Sequence, residues 1–332
     1  MVAYKDILAS NALISDATAP RVAVFVGGTS GIGRLTALAL AATGAGVRIY
    51  LVGRASAAAR AHALASELRA ASPRAEVVWV EGEVALLAEA RRVCGVIRAR
   101  EASVDLLFLS AGYAPFGARR ETAEGVEVAQ SLEYYGRVLF VRQLLPLLRA
   151  ADAPRVVSVL GGGLERASVN VDDPGLRAPG SFGSVAAQAQ YVTMNTVALE
   201  RLADDNPGVT FVHSWPGWVN TGNVRRGLDP DSTVMRWVVS LVLEPLIRLF
   251  SLGHDESAQR HLFQITSAAF GGRGTPWGGK PGTNSRLQHG NGLFLVNYKC
   301  DCTPNAKVMP LLREKATAKI WSHTEDVLRP YL

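Results

Sequence analysis

Lysine is nearly missing from the body of this 332-residue chain: there are 6, and none lies between Lys5 and Lys280. No Tyr-x-x-x-Lys occurs anywhere, which excludes a tyrosine and lysine acting together as a proton donor from one helix face. The positive charge, net +6, falls instead on arginines scattered among acidic residues, which argues against a nucleic-acid partner. Cysteine is scarce too. Cys94, Cys300 and Cys302 are odd in number and form no zinc-like pairs, and 300–302 is too closely spaced for an ordinary disulfide, so free thiols in a reducing, cytoplasmic setting are expected. The six histidines form no metal-like pair, so no metal site is expected. G-x-S-x-G and H-E-x-x-H are absent.

Long apolar runs are also lacking. Residues 1–20 have no basic region followed by an apolar stretch, so no signal peptide is read. The most apolar segment, 234–250, is interrupted by Arg236, Glu244, Pro245 and Arg248, so no integral membrane segment is expected. Two readings of it stand: a helix pair over a substrate cleft, or contact with a membrane surface.

What is present is alternation. Short β-branched runs at 22–26, 47–52, 76–80, 104–109, 156–159 and 209–213 are separated by Ala/Leu/Arg stretches. Helices are predicted at 35–42, 57–71, 86–100, 131–148 and 184–204. This is the pattern of an α/β fold, a doubly wound parallel sheet with helices on both faces and ligands beyond the carboxyl ends of its strands. We expect one enlarged domain, with a core over about 20–225 and a C-terminal helical and loop extension over 226–332. In that extension 271–292 reads as a glycine-rich loop, 293–296 as a strand, and a last helix ends near His323.

The first run leads into Gly27-Gly28-Thr29-Ser30-Gly31-Ile32-Gly33 and then an Ala/Leu helix, a Rossmann-like arrangement that cradles a dinucleotide pyrophosphate. The second run ends at Arg54, and Arg34 follows the glycine turn; a guanidinium here favours a 2′-phosphate, hence NADP(H) over NAD(H). Two solvated surface arginines are the alternative.

These residues resemble the short-chain dehydrogenase/reductase family. Gly27, Gly31 and Gly33 match its T-G-x-x-x-G-x-G turn, with Val26 for the threonine; Leu109-Ser110-Ala111-Gly112 is similar to its N-N-A-G segment. Residues 216–221 match its P-G-x-x-x-T loop, in which the resemblance implies nicotinamide contacts from Pro216, Gly217, Val219 and Thr221. It further implies Glu83 near the adenine, pairing of subunits through the helices carrying Tyr134 and Tyr191 into a homodimer or homotetramer, and a serine, a tyrosine, a lysine and an asparagine at the chemical centre. The positions matching those four read Gly161, Gly183, Ala187 and Glu133. A register shift by one gives Phe182 and Ala186 and restores neither the tyrosine nor the lysine. Features at 169–181, 209–221 and 320–324 are similar to an atypical fungal branch found in secondary metabolism.

Glu133 has two readings: a carboxyl pushed into an apolar cleft and serving as acid or base, or the partner of Arg137 four residues on. The other candidates for replacement chemistry are Tyr113, Tyr134, Ser158 and Ser184, with Tyr135, Glu165, Asp172, Ser181 and Trp218 at neighbouring strand ends and loops. Tyr191 and His213 read as packing residues. Three functions follow for a hydrophobic small-molecule substrate. One is an NADP(H)-dependent reductase acting on an already electrophilic iminium or enone. The others are a non-redox cyclase or isomerase that keeps NADP(H), and a non-catalytic NADP(H)-binding protein.

Overall fold

Burial on both faces makes the strands continuous apolar runs. In β1 (Val22–Val26) the valines at 22, 24 and 26 enter one core cluster while Ala23 and Phe25 enter the other. The same alternation in β2 (Val47–Gly53), β4 (Leu106–Leu109), β5 (Arg155–Val159), β6 (Thr210–Ser214) and β7 (Gly292–Val296) gives the sheet a packed layer on each side. Each fully buried Val, Leu or Phe contributes roughly 1.5–3 kcal/mol, which accounts for why these runs are strands despite their brevity. The computed structural model describes residues 2–219 and 251–332. The 234–250 segment and Thr221 lie outside the described residues.

All pairings are parallel, in the order β3-β2-β1-β4-β5-β6-β7, with β3 at Ala75–Glu81. The winding direction reverses between β1 and β4, which opens a crevice above the carboxyl ends of those two strands. Around the sheet lie α1 (Tyr4–Asn11), α2 (Gly31–Ala41), α3 (Ala58–Ala71), α4 (Leu87–Arg98), α5 (Val128–Gln130), α6 (Gly136–Arg149) and α7 (Ser184–Asp204). Beyond residue 250 follow α8 (His254–Thr266), α9 (Met309–Lys315) and α10 (Thr317–Leu328). The strands and α3, α4 and α7 fall within two residues of their predicted ends, and α2 opens four residues early, at Gly31.

Three features depart from the sequence pattern. The helix expected from residue 131 opens with a π turn, Ser131–Tyr135, in which the Gly136 N–H reaches Ser131 O. α8 is not expected, because its buried face includes Arg260, His261 and Gln264 and so has no clean apolar period. The last helix runs beyond His323 because Thr324 and Leu328 continue its buried face.

The C-terminal section is joined to the sheet as well as packed on it. It supplies β7, and the fully buried Arg155 of β5 donates to the carbonyls of Gln264, Ser267, Phe270 and Arg273 at 2.8–3.1 Å, gathering the end of α8 and the following loop. α10 lies over α6 and the π turn: the Tyr134 hydroxyl meets Thr324 Oγ1 at 2.5 Å, and Tyr135 meets His323 Nε2 at 2.7 Å.

Candidate active site

The turn after β1 lies against the segment after β4. Gly27 has φ +92°, and a Cβ there would stand 2.5 Å from Ala111 N. Only glycine lets the two backbones meet. Gly33 packs beneath the same turn against Gly27 O and Ser110 Oγ. Together they floor a cleft of about 640 Å³.

Gly27, Thr29, Ser30, Gly31, Ile32, Arg54, Glu83, Ser110, Ala111, Gly112, Pro216 and Gly217 all line this cleft. Arg34 does not: its guanidinium turns away to Glu67, 2.5 Å distant on the surface. Arg60 of α3 lines the cleft with Arg54, a contributor that sequence matching missed. Val219 bridges Leu252 outside the lining, and Thr221 lies outside the described residues.

At the other end of the cleft stands Glu133. It is buried, and its Oε2 accepts from Gln188 Nε2 at 3.2 Å while the carboxyl also accepts the Tyr113 backbone N–H. Gly112, at φ +156°, makes room for it: a Cβ there would stand 2.6 Å from Glu133 Oε1. Burial raises its pKa to about 7, against the lowering pull of Arg137 and the Gln188 hydrogen bond. The second reading of Glu133, an ion pair with Arg137, is not formed among the described residues. Arg137 instead donates to Ser158 Oγ at 2.8 Å, Val159 O at 2.9 Å and Ala111 O at 2.8 Å.

The π turn explains how Glu133 reaches this place. An i to i+5 step displaces the carbonyls of the turn from the regular ladder, and Glu133 O is taken by Asn195 Nδ2 at 2.5 Å. Asn195 Oδ1 accepts from Ser158 Oγ at 3.0 Å, so Arg137, Ser158 and Asn195 form a directed chain that returns to the Glu133 backbone.

Three of the other sequence candidates are placed away from chemistry. Ser158 is fully buried and spent on that chain, and Tyr134 is fully buried and points to α10; neither lines the cleft. Ser184 opens α7 outside the cleft lining, because the α7 residue that faces the cleft one turn later is Gln188. Tyr113 does line it. Tyr191 packs in a small apolar cluster and donates to Glu127 Oε2 at 2.8 Å. His213 is sealed in the core, with Gly161 N–H on Nε2 and Thr196 on Nδ1, and burial lowers its pKa to about 3. Sequence reasoning missed Arg137, Gln188 and Arg60 as lining residues.

Comparison with known proteins places this geometry. A model described as short chain dehydrogenase matches residues 21–166. Oxidoreductase AN1596 of Emericella nidulans is 34% identical over 338 residues, covering 99% of this chain and 98% of that protein. The chain belongs to the short-chain dehydrogenase/reductase family. It is an oxidoreductase of that family by this likeness, which oxidoreductase lepF of Aspergillus flavus repeats at 38% identity over 80% of each chain. Among solved structures, RhlG of Pseudomonas aeruginosa with NADP is similar at TM-score 0.53 and 23% identity, over 76% of this chain and 92% of that one.

A Cβ at Gly161, where the resemblance puts the family's serine, would stand 2.6 Å from Val192 Cγ2, so a side chain there requires Val192 to shift. Ala187, where the sequence resemblance puts the family's lysine, is buried in the apolar cluster with Tyr191.

Proposed function

We propose that this protein is an NADP(H)-dependent reductase of a hydrophobic small molecule, a secondary metabolite, with Glu133 as its acid. The carrying observation is that Glu133 is a buried carboxyl in the same cleft as the glycine cradle, at the end opposite Arg54. NADPH, when bound, supplies the hydride. Gly27 to Ile32 would hold its pyrophosphate, Arg54 and Arg60 its 2′-phosphate, and Ser110 to Gly112 with Pro216 and Gly217 the nicotinamide half. The fit to that group rests on Gly27, Thr29, Ser30, Gly31 and Ile32 lining the cleft where α2 begins.

Glu133 suits the acid's part because a group with pKa near the operating pH transfers protons most effectively. Gln188 and the Tyr113 N–H fix its carboxyl. Tyr113, Leu160, Leu164 and Val192 give the rest of that end an apolar wall. A second reading, a non-redox cyclase or isomerase retaining NADP(H), draws on the crowding by Val192 of any side chain at Gly161.

Equilibrium titration tests the cofactor assignment. NADPH is expected to bind at least about tenfold more tightly than NADH, with the difference abolished in Arg54→Ala. Equal affinities in the native protein would refute the 2′-phosphate reading.

A further inference from the structure

We infer that the cleft is built for a neutral acceptor that passes through an oxyanion, a ketone or a conjugated enone, and against a cationic iminium, with Arg137 as the group that decides. The inference rests on the reading of the cleft as a reductase site and narrows its substrate class.

Arg137 follows the π turn on α6, and its buried side chain lines the chemical end of the cleft. Its hydrogen bonds all go to neutral oxygens: Ser158 Oγ, the carbonyls of Val159 and Ala111, and Leu132 O at 3.3 Å. Among the described residues no carboxylate stands within ion-pair distance of it. Glu133, the nearest acid in sequence, is held by Gln188 and the Tyr113 N–H instead.

Such a cation is costly. A buried guanidinium without a carboxylate loses hydration that neutral carbonyls only partly replace, and burial lowers its pKa to about 10, still well above neutrality. It therefore remains charged and sets the potential of a water-poor region.

The neighbouring groups do not cancel it. Gln188 is neutral, His213 is held neutral behind Gly161, and Tyr113 has its pKa raised by burial, with the cationic Arg120 beside it. Glu127 is a buried acid on the same side, but its carboxylate accepts from Tyr191 and the Gln130 N–H and does not line the cleft. Of the two acids that line the cleft, Glu83 and Glu133, the latter is the one that acts on Arg137, and it is neutral in the form that donates a proton.

With Glu133 protonated, the chemical end of the cleft carries net positive charge. An iminium brings a second positive charge there and loses it during reduction, so Arg137 disfavours its binding. An enone gains a hydride at its β-carbon, and the displaced π pair moves to the oxygen as an enolate. The α-carbon then takes its proton from Glu133, which solvent reprotonates. Two electrons and two protons are added in all, and the nicotinamide is oxidised once. The negative charge that develops on oxygen is what a fixed cation stabilises.

Bound 4-nitrophenol, whose absorbance reports its ionisation, tests this on the NADP⁺-loaded protein. The phenol is expected to bind as phenolate, at least about tenfold more ionised than in Arg137→Met carrying the same NADP⁺. Neutral phenol in the native protein, no binding, or equal ionisation in the variant overturns the inference.

Should Arg137→Met fail to fold, the native protein still decides with a matched pair, a cyclic enone and the N-methyl iminium of the same ring. Faster NADPH oxidation by the enone is expected, and preference for the iminium overturns the inference while leaving the reductase reading standing. NADPH that fails to bind defeats the reductase reading itself.

Discussion

Glu133 stands where the sequence resemblance puts the family's asparagine, and burial against Gly112 and Tyr113 raises its carboxyl pKa to about 7. As the acid in reduction it must be protonated, so turnover is expected to fall as pH rises through about 7. Glu133→Gln, which keeps the Gln188 contact geometry and removes the proton, is expected to lower turnover by ~10²- to 10⁴-fold and erase that inflection, with NADPH affinity unchanged. Steady-state rates over a pH series and nucleotide titration check both parts. The same group makes stability fall with pH. Its folded pKa lies above the ordinary carboxylate value of 4.5, so its contribution is complete below about 4.5 and is lost as pH rises through about 7. Denaturant titrations should therefore show the native protein losing ground to Glu133→Gln across that window.

At this scale the cofactor half was legible and the chemical half only partly so. Glycines in a tight turn leave a fixed spacing in sequence, and Gly27 and Gly31 line the cleft. Glu133 was marked by departing from an expected amide. Arg137 and Gln188 carried no such signal, since a residue's direction depends on helix phase: Ala187 faces the core and Gln188, one position on, faces the cleft.

Among the elements, the π turn Ser131–Tyr135 sets the geometry, because it turns Glu133 toward the cleft and frees its carbonyl for Asn195. Asn195→Ala would leave both that carbonyl and the Ser158 hydroxyl short of partners inside the protein, at a cost of about 1–3 kcal/mol. If the chain Arg137–Ser158–Asn195 positions the acid, this variant also loses turnover while its NADPH affinity stays native; thermal unfolding and kinetics on one preparation separate the two effects.

The strands were readable because burial on both faces demands unbroken apolar runs. The π turn was not, since a single extra residue in a helix leaves the apolar pattern almost unchanged. Only Gly136, whose Cβ would crowd Ser131 O at 2.8 Å, marks it.

Over the whole molecule, the C-terminal section extends the sheet and covers its own helices. α10 and the segment after it seal α6 through Tyr134–Thr324, Tyr135–His323 and the Gln143 amide on Tyr331 O. Trp321 of the same helix lies under the Arg142 guanidinium, 5.8 Å from ring to cation. The helix face through which the family resemblance implied subunit pairing is thus partly occupied by the chain itself. Sedimentation velocity is expected to give a monomer; a dimer would show that another face pairs subunits or that α10 moves aside. No helix among the described residues is long and apolar enough to cross a membrane.

On the proposed function, this short-chain dehydrogenase/reductase moves hydride without a Tyr-x-x-x-Lys pair, with Glu133 completing the proton transfer. The most direct measurement follows deuterium from 4-deuterated NADPH into the product of a hydrophobic enone or ketone. Label is expected in the product with the native protein and is expected to be lost in Glu133→Gln that still binds NADPH. Conversion of the acceptor with all label retained in unoxidised nucleotide would contradict it.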